Sequence, residues 1–171
     1  SLITAMGYQT ILSNSSKKGD ARTTASICYP CEIAHGAVYD LLEREVDYIF
    51  LPYLIEFPVP EESLHAYTCT STTAIPDIIR AAFGEASGKI LSPHISLSEG
   101  HIDTTLKEIV KMGALLGLDE HTSKEAGEKA LQRQAEFIHA YCNLGKRELE
   151  KIGDEHAVII AGRPYTVCAP D

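Results

Sequence analysis

Apolar residues recur at two different spacings along this chain, and the alternation predicts helices separated by short buried strands. Residues 31–44 carry apolar side chains at helical spacing, and Pro30 falls in the first turn, where its missing N–H has no partner to lose. Residues 47–51 form a short, almost continuous apolar run, which is typical of a parallel strand buried on both faces. Residues 89–92 predict a further short strand, and the strong apolar run of residues 157–161 predicts another.

Helices alternate with these runs to the end of the chain. The spacing predicts helices over residues 75–83 and 101–116, and a capping-box pattern at Thr122 predicts another that extends to about residue 151. A strand is expected at about residues 8–12, whereas the three prolines of residues 52–60 argue against a central strand. The last helix is expected to bury a stripe made of Ala130, Leu131, Ala135, Ile138, Tyr141, Cys142 and Leu149.

This order of elements predicts an α/β fold, with a mostly parallel sheet and helices on both faces in three layers. Residues 1–155 are expected to form one α/β lobe that is incomplete at its N-terminus, because the helix that Gly7 closes has no visible start. Residues 156–171 are expected to provide the opening strand and turn of a second lobe, or the last strand of the same sheet.

Composition and charge argue against some classes of binding partner. The 171 residues are 44% hydrophobic and 23% charged, which is ordinary for a globular protein. A formal net charge of −9 and a pI near 5.2 argue against nucleic acid or an anionic membrane as a partner. No apolar run approaches the roughly 20 residues that span a bilayer. A cytoplasmic protein is therefore expected, and its five cysteines are an odd number without the spacing of a secreted disulfide scaffold.

The cysteines are the candidate reactive or metal-binding residues of this chain. Cys28 and Cys31 lie at or just before a predicted helix N-terminus, where free N–H groups and the helix dipole stabilise a thiolate. The loops that hold Cys28, Cys69 and residues 162–165 each follow a predicted parallel strand. Because ligands bind at the carboxyl ends of such strands, these loops are expected to meet at one edge of the sheet.

Four interpretations of the cysteines stay open at this point. They are ordinary packed thiols, or a Cys-x-x-Cys redox pair, or ligands of an iron–sulfur cluster. The fourth interpretation is a zinc site made of Cys28, Cys31, Cys69 and His35. Arg163, at the same predicted edge, is a candidate to bind a phosphate or carboxylate, although a surface ion pair explains it equally well.

Four motifs resemble the acyl-CoA dehydratase activase-related proteins, which are similar to the large activators and the subunits of 2-hydroxyacyl-CoA dehydratases. They are residues 26–36 (Ser-Ile-Cys-Tyr-Pro-Cys-Glu-Ile-Ala-His-Gly), residues 46–52 (Val-Asp-Tyr-Ile-Phe-Leu-Pro), residues 67–69 (Tyr-Thr-Cys) and residues 161–165 (Ala-Gly-Arg-Pro-Tyr). Their order agrees with that family, and the resemblance covers nearly the whole chain.

The resemblance implies one lobe of a two-lobe α/β fold, with a cysteine-ligated [4Fe–4S] or related cluster in the cleft between the lobes. It implies Cys28 and Cys69 as metal ligands, with Cys31 as a further candidate and Arg163 at the opening of the second lobe. It also implies low-potential electron transfer or dehydratase and reductase chemistry, within an ATP-dependent activation system. The implied partners are an activase ATPase domain or a dehydratase-type second lobe, and a homodimer would cover the exposed cleft.

The sequence departs from the family pattern at several positions. Thr70-Ser71 stands where relatives often have Pro-Tyr, and Thr166 stands where they often have His. A further cluster ligand is expected from the second lobe, with Cys168 as the local candidate, so the fragment is also compatible with a fold that carries no cluster. The alternative functions are a non-catalytic interaction domain that docks on an activase partner, or a dithiol or zinc site.

Overall fold

The computed structural model describes residues 1–14, 22, 28–58, 66–153 and 156–167. Its seven described helices are α1 (Leu2–Ala5), α2 (Tyr29–Glu43), α3 (Thr70–Thr73), α4 (Ile75–Ala82), α5 (Ile102–Leu115), α6 (Glu120–Ile152) and α7 (Pro164–Val167). Its four described strands are β1 (Ile49–Phe50), β2 (Tyr53–Glu56), β3 (Ile90–Leu91) and β4 (His94–Ser96), and short 3₁₀ turns occupy Gly84–Lys89 and Glu99–His101.

The strands form two short parallel pairs, so the α/β class is confirmed. β1 pairs with β3, and β2 pairs with β4. Backbone hydrogen bonds from Leu51 N to Leu91 O and from Tyr53 N to Pro93 O continue the pairing between the two short sheets. A bulge separates Leu54 from Glu56 at the end of β2.

Two apolar clusters form the core, and both lie within residues 1–131. Strand β3 contributes to each of them, because successive side chains of a strand point to opposite faces. Ile90 joins Val38, Ile49, Ile79, Phe83 and Ala86 in one cluster. Leu91 joins Leu2, Met6, Ile109, Met112 and Ala126 in the other.

Most predicted helices are confirmed to within about two residues. Pro30 lies in the first turn of α2 and Pro76 in that of α4, as expected. The start of α6 is the exception, because Asp119 rather than Thr122 provides the cap. The Asp119 carboxylate accepts hydrogen bonds from the backbone N–H and the hydroxyl of Thr122, at 2.8 and 2.7 Å. The helix therefore begins before the predicted capping box.

Two strand predictions are wrong, and one strand forms in a segment where none was expected. Residues 8–12 and 157–161 form no strand, and Val158 and Ile160 are 91% and 80% exposed. Apolar runs show which residues would suit a buried strand, but pairing needs a neighbouring strand, and the described residues offer none there. Conversely, β2 forms between Pro52 and Pro58, because four residues without proline are enough for a short strand.

The chain divides into two units, Ser1–Leu131 and Gln132–Asp171. In the second unit most side chains of α6 are exposed, among them Tyr141, Cys142 and Leu149. The predicted buried stripe is therefore wrong beyond Leu131, since only Ile138 of its later members is half-buried. The domain boundary predicted near residue 155 stays a prediction.

Candidate thiol site

Cys28 and Cys31 lie at the N-terminus of α2. Cys28 is the N-cap residue, with extended backbone angles of φ −166° and ψ 156°, and its carbonyl accepts from the Cys31 N–H at 3.0 Å. Pro30 fixes the first turn, so both thiols project from an ordered helix start. The two sulfur atoms are 3.5 Å apart, which is direct contact.

The two thiols of this pair differ in exposure. Cys31 is only 3% exposed, whereas Cys28 is half-buried. Burial, together with the hydrogen bond between Cys31 and the Cys28 thiol, raises the pKa of Cys31 to about 11. Cys31 therefore keeps its proton at neutral pH, while Cys28 is the sulfur that a solute reaches.

The sequence did not predict the path of the chain that brings Cys69 to the site. After β2 the chain returns antiparallel along that strand, with a bridge between Glu56 and Tyr67 and a 2.9 Å bond from Thr68 N to Ile55 O. Cys69 is then the N-cap residue of α3. The predicted meeting at the carboxyl ends of three strands is therefore wrong, because two of those strands do not form.

The N-terminus of α3 favours the thiolate of Cys69. The backbone N–H groups of Thr72 and Ser71, in that order of effect, act on the sulfur and lower the pKa of Cys69. The hydroxyl groups of the same two residues act in the same direction. Cys69 is exposed, so it combines thiolate character with access to solvent.

Ser71 connects the two helix starts. Its side chain interacts with Cys31 and with Cys69, and in both cases it lowers the pKa of the thiol. The charge of Cys69 also acts on Cys31. The structure thus brings Cys28, Cys31 and Cys69 into one site, here called the thiol site. Sequence reasoning missed Ser71, although its position just after a cysteine in a Thr/Ser run is typical of a helix cap.

His35 lies one turn after Cys31 and is 1% exposed. Its Nδ1 is 2.7 Å from the Cys31 carbonyl oxygen, which can only accept, so Nδ1 carries the proton. Its Nε2 has no hydrogen-bond partner and is buried. His35 therefore fixes the backbone at Cys31 and leaves one polar atom unsatisfied, which is uncommon in protein interiors.

The described part of the chain contains no preformed metal site. No three of its His, Cys, Asp or Glu side chains are placed to hold a metal ion. The four residues of the zinc interpretation are therefore not assembled. A single tetrahedral ion with bonds of about 2.3 Å would set two thiolates roughly 3.8 Å apart, close to the 3.5 Å between Cys28 and Cys31.

An iron–sulfur cluster fits the thiol site by donor chemistry. Thiolates are the ligands that such clusters use, and helix N–H groups that point at sulfur stabilise them. Each ligand binds its own iron, so neighbouring thiolates do not touch. Cys28 and Cys69 lie at the starts of different helices, whereas Cys28 and Cys31 are in contact.

An open groove of about 550 Å³ adjoins Cys69. Its walls are mainly apolar with several hydroxyl groups, and they comprise Tyr53, Ile55, Tyr67, Thr68, Thr70, Thr73, Ala74 and Asp77. The Tyr53 hydroxyl donates to Asp77 at 2.5 Å and accepts from Arg80 at 2.9 Å. Burial and the Asp77 bond raise the pKa of Tyr53. Tyr53 and Asp77 therefore give the groove a hydrogen-bonded polar wall.

The carboxyl ends of β2 and β4 hold a different polar cluster. Glu56 is 4% exposed, and its carboxylate lies 3.3 Å from both the Ser96 hydroxyl and His101 Nδ1. Pairing offsets the cost of burying this carboxylate. Sequence reasoning missed this cluster, because β4 has too few apolar residues to be recognised as a strand.

The remaining predicted residues lie in the second unit or outside the description. Arg163 is exposed just before α7, and its carbonyl accepts from Val167 N at 3.0 Å. Its role as an anion-binding residue stays a prediction. Cys168 lies outside the described residues.

These features define an α/β domain with a cysteine site at two helix N-termini, and one comparison with known proteins identifies its family. The family model of the CoA enzyme activase uncharacterised domain (DUF2229) matches residues 1–171. The chain belongs to this family, which confirms the expected relation to acyl-CoA dehydratase activases. No curated protein matches the chain, and no solved structure matches it either. Among the described helices, none is long and apolar enough to cross a membrane.

Proposed function

We propose that this chain is an iron–sulfur-binding domain of a CoA enzyme activase system, with Cys28 and Cys69 as cluster ligands. The observation that carries the proposal is the convergence of thiols at the starts of α2 and α3. Family membership over all 171 residues supports the activase context. Cys31 is the additional ligand candidate, since its burial and raised pKa make it the poorer thiolate.

When bound, such a cluster supplies one-electron transfer at low potential. The chain's own residues would hold it through their thiolates. Among these residues Cys69 ionises more readily than an ordinary thiol, because the Thr72 and Ser71 N–H groups stabilise its charge. The Ser71 side chain interacts with both Cys31 and Cys69, and the His35 imidazole is hydrogen-bonded to the Cys31 carbonyl. The remaining ligands would come from a second lobe or a partner, consistent with the incomplete ligand set of the described residues.

The proposal includes the larger architecture that the family resemblance implies. The two apolar clusters that share β3 support a three-layer lobe. A dehydratase-type second lobe, an activase ATPase partner or a second copy would then face the thiol site. Electron transfer to acyl-CoA dehydratase or reductase chemistry is the reaction class in which such a domain serves.

The test is anaerobic reconstitution of the full chain, followed by iron and acid-labile sulfide analysis. The variants Cys28→Ser and Cys69→Ser should lose most of the bound iron, whereas Cys142→Ser, an exposed cysteine of the second unit, should keep it. Circular dichroism checks that each variant is folded. Equal iron content in all three folded variants would refute the ligand assignment.

The exposed apolar run at residues 157–161 favours a second candidate function, a non-catalytic interaction domain. Val158, Ile159 and Ile160 are each at least 79% exposed, which is unusual for three consecutive aliphatic residues. On this view the cysteines are structural. The double variant Cys28→Ser/Cys69→Ser would then keep its binding to the activase partner and its function, whereas the iron–sulfur proposal expects a loss of function.

A further inference from the structure

We infer that Cys28 and Cys31 form a reversible dithiol–disulfide pair that decides whether the thiol site offers Cys28 as a ligand. The inference rests on the proposed function for its consequence, but its chemistry requires only the two cysteines. It assigns Cys31 the role of resolving thiol for Cys28. The supporting features are the contact between the sulfurs, their unequal exposure and their position on a rigid helix start.

The geometry needs only a small movement to close the bond. The sulfurs are 3.5 Å apart, and a disulfide bond is about 2.05 Å long. The Cys31 N–H is bonded to the Cys28 carbonyl at 3.0 Å, and the His35 imidazole is bonded to the Cys31 carbonyl at 2.7 Å. Backbone hydrogen bonds thus hold both residues, so side-chain rotation supplies the approach.

Exposure divides the roles of the two thiols. An external disulfide reaches the half-buried Cys28, but it cannot reach Cys31, which is 3% exposed. Cys31 therefore reacts only with a sulfur that is already inside the site.

Cys69 is the competing partner, and the structure disfavours it. Cys31 is in direct sulfur contact with Cys28, whereas it shares the Ser71 side chain with Cys69. The backbone N–H groups of Ser71 and Thr72 also stabilise Cys69 as a free thiolate. Oxidation should therefore join Cys28 to Cys31 and leave Cys69 outside this bond.

The reaction is thiol–disulfide exchange with a low-molecular-weight disulfide such as glutathione disulfide. The Cys28 thiolate attacks one glutathione sulfur, which forms a mixed disulfide and releases one glutathione thiolate. Cys31 then gives up its proton to solvent and attacks the Cys28 sulfur, which expels the second glutathione thiolate. Both released thiolates take up protons, so two protein thiols are oxidised and one glutathione disulfide is reduced to two glutathiones.

For the proposed function, the consequence is that the redox state of Cys28 and Cys31 controls the loading of the iron–sulfur cluster. The disulfide withdraws Cys28 from the ligand set and leaves Cys69 as the one cysteine of the three outside the bond. A protein oxidised before reconstitution would then take up less iron than the reduced protein, and a thiol reductant would restore the uptake.

The test uses the metal-free full chain under anaerobic conditions, equilibrated in buffers that run from reduced to oxidised glutathione. After acid quenching and alkylation, peptide mass spectrometry should show a single transition in which the peptide with Cys28 and Cys31 becomes lighter by two hydrogens. The Cys28→Ser and Cys31→Ser variants should lose this transition. The Cys142→Ser variant should keep it.

Two results would overturn the inference. One is that Cys28 and Cys31 remain alkylatable in fully oxidised glutathione, and the other is a disulfide that joins either of them to Cys69. Both are independent of iron, so they are distinguishable from failure of the proposed function. A chain that forms the disulfide but never binds iron refutes the cluster proposal and supports the dithiol pair.

Discussion

At the scale of single residues, Cys69 shows how local backbone sets thiol chemistry. The sequence places a cysteine before a Thr/Ser run, and the structure turns that run into the first turn of α3. The N–H groups of Thr72 and Ser71 then favour the thiolate. The lowered pKa means that Cys69 ionises at lower pH than an ordinary thiol, whose pKa is about 8.5.

This pKa shift predicts the pH profile of alkylation. In metal-free, reduced protein, the rate of Cys69 modification by iodoacetamide should rise to half its maximum at a lower pH than in the urea-unfolded chain, because the thiolate is the reacting form. Thr72→Pro removes the N–H group with the largest effect and should move the midpoint upward. Thr72→Ala keeps that N–H and should move it less. A wild-type midpoint at or above that of the urea-unfolded chain would contradict the account.

Residue types alone identified the cysteines of the thiol site, but they did not identify the neighbouring groups that interact with these cysteines. Pro30 and the helical spacing were enough to place Cys28 and Cys31 at the start of α2. The contributions of Ser71 and the unpartnered Nε2 of His35 depend on which helices pack together. Such contacts lie far apart in sequence and leave no periodic signal.

At the scale of elements, Thr105 of α5 anchors the carboxyl end of β4. Its hydroxyl donates to Ser96 O at 2.8 Å and accepts from Ser96 N at 2.9 Å, and the residue is 1% exposed. Thr105→Val keeps the shape and removes both hydrogen bonds. It should lower the free energy of unfolding by about 1–3 kcal/mol, because two backbone groups lose their partner.

Urea unfolding monitored by circular dichroism measures this effect, and the neighbouring Thr104 supplies the matched control. Thr104 is exposed, so Thr104→Val should change the free energy of unfolding by no more than about 0.5 kcal/mol. Equal losses in the two variants would show that the Thr105 hydrogen bonds contribute nothing to stability.

The close approach of α5 and α6 requires glycine at position 113. A Cβ atom there would collide with the side chain of Ser123, which is fully buried and hydrogen-bonded to Asp119 O at 2.8 Å. Gly113→Ala should therefore cost about 1–3 kcal/mol in thermal or urea unfolding, as overpacking does. Gly145→Ala, in open space within α6, should be neutral or stabilising by up to about 1 kcal/mol. A stabilised Gly113→Ala variant would contradict the described helix packing.

Elements with a strong local signal were predictable, and those that depend on a partner were not. Helices α2, α4 and α5 follow from apolar spacing and from flanking proline or glycine. The runs at 8–12 and 157–161 have strand-like composition, yet backbone pairing decides whether a strand exists. The short β2 and β4 pair with each other despite weak sequence patterns, because parallel pairing is a tertiary interaction.

At the scale of the whole molecule, the family and the thiol site agree on the kind of protein. The family model matches residues 1–171, a range that includes the motifs that suggested an activase relative. The structure adds that Cys28, Cys31 and Cys69 meet at the starts of two helices in the unit Ser1–Leu131. The second unit carries Arg163 and the exposed apolar run, which suits contact with another lobe or chain.

The central claim is that these three cysteines form one cluster-binding site. Alkylation footprinting of the full chain, before and after anaerobic iron–sulfur loading, tests this claim most directly. The account predicts that Cys28 and Cys69 lose reactivity together on loading, while Cys142 remains reactive throughout. Iron-loaded protein in which Cys28 and Cys69 both alkylate as fast as in the metal-free chain would contradict it.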